Sequence, residues 1–172
     1  PHDIKGLTQL MGGSKAFVDK LQMVFDKGYY DPANEPDIAY PHLFSYFKGE
    51  EWRTQKEIKR LLNTYFKNAP DGIPGNDDTG TMSAWAVFNM IGFYPDCPGE
   101  PAYTLTTPVF DKVTIKLSKE QWGTDQLVIT SKRSDKEAYQ INNISVGGKP
   151  FKSYRISHKD LINARNIHFD VK

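Results

Sequence analysis

Thiols are nearly absent from this 172-residue chain, which carries the single cysteine Cys97. One cysteine cannot close an internal disulfide, and no CxxC pair is present to hold zinc. Long hydrophobic runs are missing too, since none approaches the roughly 20 residues that a membrane-spanning helix requires. There is no excess of one charge: Lys plus Arg total 22 against 21 Asp plus Glu, a formal net charge of +1. A nucleic-acid surface concentrates cations on one face to follow the phosphates, so this balance argues against one. The chain opens at Pro1-His2-Asp3 without an initiator methionine or a charged-then-apolar leader, which leaves any signal peptide to a longer parent. Internal repeats and low-complexity segments are also lacking.

What remains is 38% hydrophobic and 13% aromatic residues, with nine tyrosines. That content suits one ordinary domain or two small ones, with polar-tipped rings left over to line a cleft. Composition changes near residue 98. Residues 1–98 hold 10 basic and 13 acidic side chains, and residues 99–172 hold 12 and 8. Asp96-Cys97-Pro98-Gly99-Glu100-Pro101 forbids a continuous helix and marks a boundary between a helical part, 1–98, and a β part, 99–172.

Ahead of that boundary the hydrophobic period is helical. Asp3 is placed to cap a short helix carrying Ile4, Leu7 and Met11, stopped at Gly12-Gly13. Ser14 is expected to cap a second, in which Phe17, Leu21, Val24 and Phe25 share a face. A third is predicted over about Pro41 to Phe47. A fourth carries Ile58, Leu61, Leu62, Tyr65 and Phe66. The fifth, from about Thr79, carries Met82, Trp85, Ala86 and Met90. Successive helices with short links suggest antiparallel hairpins, as in part of an (α/α)6-type toroid, although five helices cannot close one. Beyond the boundary the period is two. Val113, Ile115 and Leu117 alternate with polar residues, and Leu127–Thr130, Tyr139–Val146 and Ile167–Val171 read as further strands. One helical turn is expected over Ser157–Leu161. The fold class is therefore α+β, with an antiparallel, sandwich-like region after the helices.

Two acidic loops rich in Pro and Gly carry the candidate chemistry. One runs from Tyr29 through Asn34-Glu35-Pro36-Asp37, and the other is Asp71-Gly72-Ile73-Pro74-Gly75-Asn76-Asp77-Asp78-Thr79-Gly80. Adjacent Asp77 and Asp78 repel unless a cation, hydrogen-bond donors or a helix N-terminus compensates. Oxygen-only side chains such as Asn34, Glu35 and Asp78 suit a hard cation, calcium before zinc. The plainer alternative is that Asp77-Asp78 cap the fifth helix and Asn34-Glu35-Pro36 is a turn. An EF-hand is excluded, because counting from Asn76 puts Val87 where position 12 needs Glu.

Asn34-Glu35-Pro36, followed by Gly72-Ile73-Pro74-Gly75-Asn76-Asp77-Asp78-Thr79-Gly80-Thr81-Met82-Ser83-Ala84-Trp85, resembles the signature of family-92 glycoside hydrolases, bacterial exo-acting α-mannosidases. Gly92-Phe93-Tyr94-Pro95, Thr107-Pro108-Val109-Phe110-Asp111 and the opening Pro1-His2-Asp3 with Met11-Gly12-Gly13 extend the likeness over most of residues 1–117. The resemblance implies calcium-dependent, inverting hydrolysis of terminal α-mannosides in glycans. It also implies a helical toroid preceded by an N-terminal β-sandwich that this segment lacks, in an exported protein, periplasmic or secreted. Carried over by motif, Asn34 and Glu35 bind calcium through a backbone carbonyl and a side chain. Asp78 is then the general base and a contact of the metal or its waters, with Asp77 the second candidate base.

This chain departs from the family pattern in having Asp37-Ile38-Ala39 where Ser and His often follow Asn-Glu-Pro. No residue matches the family's general-acid motif, which is expected upstream of Pro1. Glu50, Glu51 and Glu57 lie at a helix start or on a charged face and are expected to be solvated. The chain therefore reads as a C-terminal fragment, inactive alone. His2, His42, His158, His168 and Trp85 are read as structural, while Trp52 and Trp122 are open to packing or to sugar stacking. Two alternatives stand beside the mannosidase: another calcium-dependent glycoside hydrolase, or a non-catalytic carbohydrate-binding or structural module.

Overall fold

A computed structural model describes residues 2–172. The helices are α1 (Ile4–Leu10), α2 (Ser14–Asp26), a 3-10 stretch (Glu35–Tyr46), α3 (Glu51–Tyr65), α4 (Thr81–Ile91), α5 (Lys119–Trp122) and α6 (His158–Ala164). The strands are β1 (Phe93–Tyr94), β2 (Ala102–Leu105), β3 (Lys112–Lys116), β4 (Gln126–Arg133), β5 (Ile141–Val146), β6 (Lys149–Phe151), β7 (Arg155–Ser157) and β8 (Asn166–Val171). The α+β class is as expected. Two compact units form, one from residues 1–86 and 96–100, the other from residues 87–95 and 101–172. The change of character expected at residue 98 falls within this interleaved stretch.

In the first unit, Asp3 caps α1 as expected, its carboxylate accepting the Gly6 amide at 2.7 Å. Ser14 does not cap α2. Gly13 occupies that position and Ser14 begins the helix without a side-chain cap. The expected third helix is a tight 3-10 winding that starts six residues earlier, at Glu35. Pro36 sits in its first turn, where an amide has no ladder partner, and Pro41 within it, where it removes an amide that an α-helical ladder would need. Phe17, Val18, Leu21 and Phe25 of α2, Leu43 and Phe44 of the 3-10 stretch, and Ile58, Leu61 and Leu62 of α3 are all buried. Removing each such side chain from water contributes about 1.5–3 kcal/mol. Phe25 meets Phe44 with ring centroids 5.9 Å apart, and the Ser45 hydroxyl donates to Thr54 at 3.0 Å where the 3-10 stretch meets α3.

The second unit holds two sheets, β1-β2-β7 and β3-β4-β8-β5-β6. The expectation of wholly antiparallel pairing is corrected in one place: β4 and β8 run parallel, Ile129 beside Ile167 and Ser131 beside Phe169. After β4 the chain makes the β5–β6 hairpin, visits the smaller sheet as β7, and returns through α6. That crossover lets β8 enter between β4 and β5 in the direction of β4. Ile167, Phe169 and Val171 of this central strand are buried with Leu127, Ile129, Ile144, Ile156 and Leu161.

Candidate active site

Both acidic loops lie in the first unit, and local hydrogen bonds shape each. In the first, the Asp31 carboxylate accepts the Ala33 amide at 2.9 Å. Asn34 then donates its amide to the Asp31 carbonyl at 3.1 Å and accepts the Asp37 amide at 2.9 Å. This is an Asx-type turn leading into the 3-10 stretch. The second loop is drawn in by Lys67, whose amide donates to the Gly72 carbonyl at 2.8 Å. A side chain at position 72 would overlap the Lys67 carbonyl oxygen, so only glycine fits there.

The loops touch at Ala33 and Gly75, where a Cβ on Gly75 would come within 2.8 Å of the Ala33 Cβ. Asn34 and Asn76 each follow directly in the chain, so the two motifs flank one junction. Trp85 of α4 fastens the same region from beneath. Its indole N–H donates to the Ile38 carbonyl at 3.0 Å, and its ring stacks on Phe66 with centroids 5.4 Å apart. At 2% exposure Trp85 is core, as read from the sequence.

The two adjacent aspartates are in different situations. Asp77 is half-buried and engaged: Oδ1 accepts the Ser83 amide at 2.8 Å and Oδ2 accepts the Ser83 hydroxyl at 2.9 Å. Asp78 is exposed, with φ of 45°, and Thr79 follows at 58°. Left-handed conformations of this kind cost of order 1–3 kcal/mol each in residues other than glycine. They also delay the helix, which begins at Thr81 rather than at the expected Thr79. Asn34 and Glu35 are exposed as well. Among the described residues, nothing hydrogen-bonds the carboxylates of Glu35 or Asp78.

Beside Glu35, Asp37 accepts a hydrogen bond from Tyr40. Burial first, and then the Asp37 charge and hydrogen bond, raise the Tyr40 pKa above the ordinary tyrosine value. Among the described residues no three His, Cys, Asp or Glu side chains form a ready metal cluster. Asn34, Glu35, Asn76 and Asp78, which follow the Ala33–Gly75 contact along the two loops, offer carboxylate, amide and carbonyl oxygens, whose hardness suits calcium or magnesium rather than zinc.

Glu57 is not solvated: it is 3% exposed on the inner face of α3 and pairs with Arg60 at 2.7 Å. The 3.6-residue period brings position 57 to the same face as Leu61, so burial there follows from helix geometry. Trp52 lies against the Arg53 guanidinium, 4.8 Å from its ring centroid, and Trp122 meets His158 edge-on. His42 is fully buried, with its ring edge-on to Trp85. His158 takes a hydrogen bond with Tyr103 at 2.7 Å. Sequence reading missed Ser83 and Tyr40. A capping box joins positions three apart, whereas Asp77 and Ser83 are six apart, so no spacing rule marked Ser83.

Residues 1–172 match the sequence model of the glycosyl hydrolase family 92 catalytic domain. The chain belongs to that family. A protein described as an uncharacterized secreted glycosidase of Arthroderma benhamiae is 30% identical over 171 residues, which are 99% of this chain and 22% of that protein. A family GH92 α-mannosidase from Bacteroides thetaiotaomicron, solved in complex with mannoimidazole, is 27% identical with a TM-score of 0.85, over 93% of this chain and 22% of its own. A GH92 inverting mannosidase from Bacteroides thetaiotaomicron VPI-5482 is 25% identical with a TM-score of 0.85, over 99% of this chain and 26% of its own. The chain thus spans about a quarter or less of the length of these relatives. No described helix is long and apolar enough to cross a membrane.

Proposed function

We infer that this chain supplies the calcium ligands and the general base of an inverting exo-α-mannosidase that removes terminal α-mannosides from glycans. The observation that carries the reading is the Ala33–Gly75 junction, which joins the Asn-Glu-Pro and Gly-Asn-Asp-Asp loops within a chain matched over its whole length by the family. The description of one relative as secreted supports an exported protein. The helices of the first unit are read as part of an (α/α)6 toroid, and the strands of the second as part of a sandwich-like region.

Glu35 and Asp78 are read as the carboxylates that take a cation, with the carbonyl of Asn34, the residue before Glu35, as a further ligand. That carbonyl accepts one backbone hydrogen bond and keeps a second lone pair. Calcium, when bound, supplies a Lewis-acidic anchor for two hydroxyls of the sugar. The Asp78 carboxylate takes a proton from the water that attacks the anomeric carbon. Inversion also needs an acid on the opposite face, about 6.5–9.5 Å from the base, to protonate the leaving oxygen. Asp77 is next to Asp78 on one loop and bound to Ser83, so it cannot serve that face. The acid comes from the remainder of the longer protein, as does the N-terminal sandwich that walls the pocket.

The test is mannose release by the full-length parent hydrolase, by its Asp78→Asn variant and by the 172-residue chain. The parent is expected to be active, with the other two near background. Clear turnover by the isolated chain would overturn the division of the site. An Asp78→Asn parent at full rate would remove Asp78 from the base role.

A further inference from the structure

We propose that Asp77 is a positioning residue, whose grip on Ser83 holds Asp78 in a left-handed turn and keeps its carboxylate off the face of α4. The proposal rests on the reading of Asp78 as the base.

Residues 78, 79 and 80 have φ of 45°, 58° and 94°. Gly80 adopts such a value freely, but Asp78 and the β-branched Thr79 do not. An isolated segment of this sequence would relax into right-handed backbone and extend α4 by a turn. Asp is favoured at such a helix start, so the relaxed alternative is a good one. It would carry the Asp78 side chain around the helix axis and away from the loop junction. A strained turn persists only where its surroundings over-determine it.

Asp77 does this with three oxygens. Its carboxylate takes both the amide and the hydroxyl of Ser83, at 2.8 and 2.9 Å. Its carbonyl accepts the amides of Gly80 and Met82, at 3.1 and 3.2 Å. Within the loop so closed, the hydroxyls of Thr79 and Thr81 both donate to the Asp78 carbonyl, at 2.6 and 2.8 Å. The Asp78 carbonyl is thus satisfied internally while its carboxylate is left exposed. Two aspartates in succession divide the work: one holds the turn and the other is presented by it.

The experiment pairs a strain-relief rescue with a direct readout of the clamp. In the full-length parent hydrolase, Asp77→Ala is expected to lower kcat on an aryl α-mannoside by about 100-fold, the scale of loss from misplacing a catalytic group. KM should change by less than about threefold, because substrate binding is not the function removed. Thr79→Gly lowers the cost of the left-handed turn, so Asp77→Ala with Thr79→Gly should recover roughly tenfold or more. Ser83→Ala, which removes only the hydroxyl half of the clamp, should lose less and be rescued in the same way.

In the 172-residue chain, hydrogen exchange at the Ser83 amide should quicken in Asp77→Ala, which removes both acceptor oxygens, independently of any turnover. Unchanged exchange there overturns the clamp alone. An Asp77→Ala loss as deep as that of Asp78→Asn, with no rescue by Thr79→Gly, places Asp77 in the chemistry itself and overturns the positioning role. Full activity in Asp78→Asn overturns the base reading, and with it the purpose of the clamp, while the exchange result still stands for the turn.

Discussion

Gly75 meets Ala33 so closely that a single added carbon would come within 2.8 Å of the Ala33 Cβ, from a backbone with φ of +66°. Two loops separated by some forty residues of sequence are held together at this point by the absence of a side chain. The Ala33 Cβ is fixed to the backbone and cannot swing aside, so a larger residue at 75 must part the loops. Gly75→Ala is expected to destabilise the chain by about 1–3 kcal/mol, from the left-handed strain and the overlap together. Adding Ala33→Gly should restore part of that loss by removing the overlap but not the strain. Denaturant unfolding of the three variants measures both terms.

Calcium binding by the isolated chain should be weak, since part of the coordination sphere is left to water and to sugar hydroxyls. Titration calorimetry on the chain and on Glu35→Ala gives the comparison. The expected result is a measurable heat that the substitution removes. Equal heats would exclude Glu35 as a ligand.

The Glu57–Arg60 pair lends itself to a double-mutant cycle. The Glu57 side chain is 4% exposed and that of Arg60 is 41% exposed. Arg60→Ala leaves a buried carboxylate without its guanidinium and should cost about 1–3 kcal/mol in urea unfolding. Combining it with Glu57→Gln should cost less than the two single changes together, because the stranded charge is gone.

Alkaline unfolding should report on Tyr40 and Tyr103. Tyr40 is raised chiefly by burial, with Asp37 adding to it, and Tyr103 is raised by burial. A phenol whose pKa is higher folded than unfolded keeps its proton longer in the native state. The native state then holds more protons above pH 10, so stability is flat near neutrality and falls as pH rises beyond the ordinary tyrosine range. Tyr40→Phe and Tyr103→Phe should each blunt that fall in a thermal-unfolding series taken from pH 8 to pH 11. A series identical to that of the parent chain would remove the substituted tyrosine as a contributor.

Much of this protein was legible without coordinates wherever the cause is local. The apolar stripe of α2 and the alternation in β8 each report the face that must leave water, because side-chain direction repeats with backbone geometry. Asp3 could be read as a cap because its partner lies three residues away. The two acidic loops were identifiable by residue type, and their motif carried the family. Tertiary structure alone decided what depends on distant parts of the chain. The parallel β4–β8 pairing requires an excursion through another sheet, which a period of two cannot encode. The Ala33–Gly75 contact requires α3 to double the chain back. The split between Asp77 and Asp78, alike in sequence, arises because only one of them reaches Ser83 once the helix has formed. Periodicity and turn chemistry are properties of neighbours, whereas which oxygen finds a donor is settled by packing.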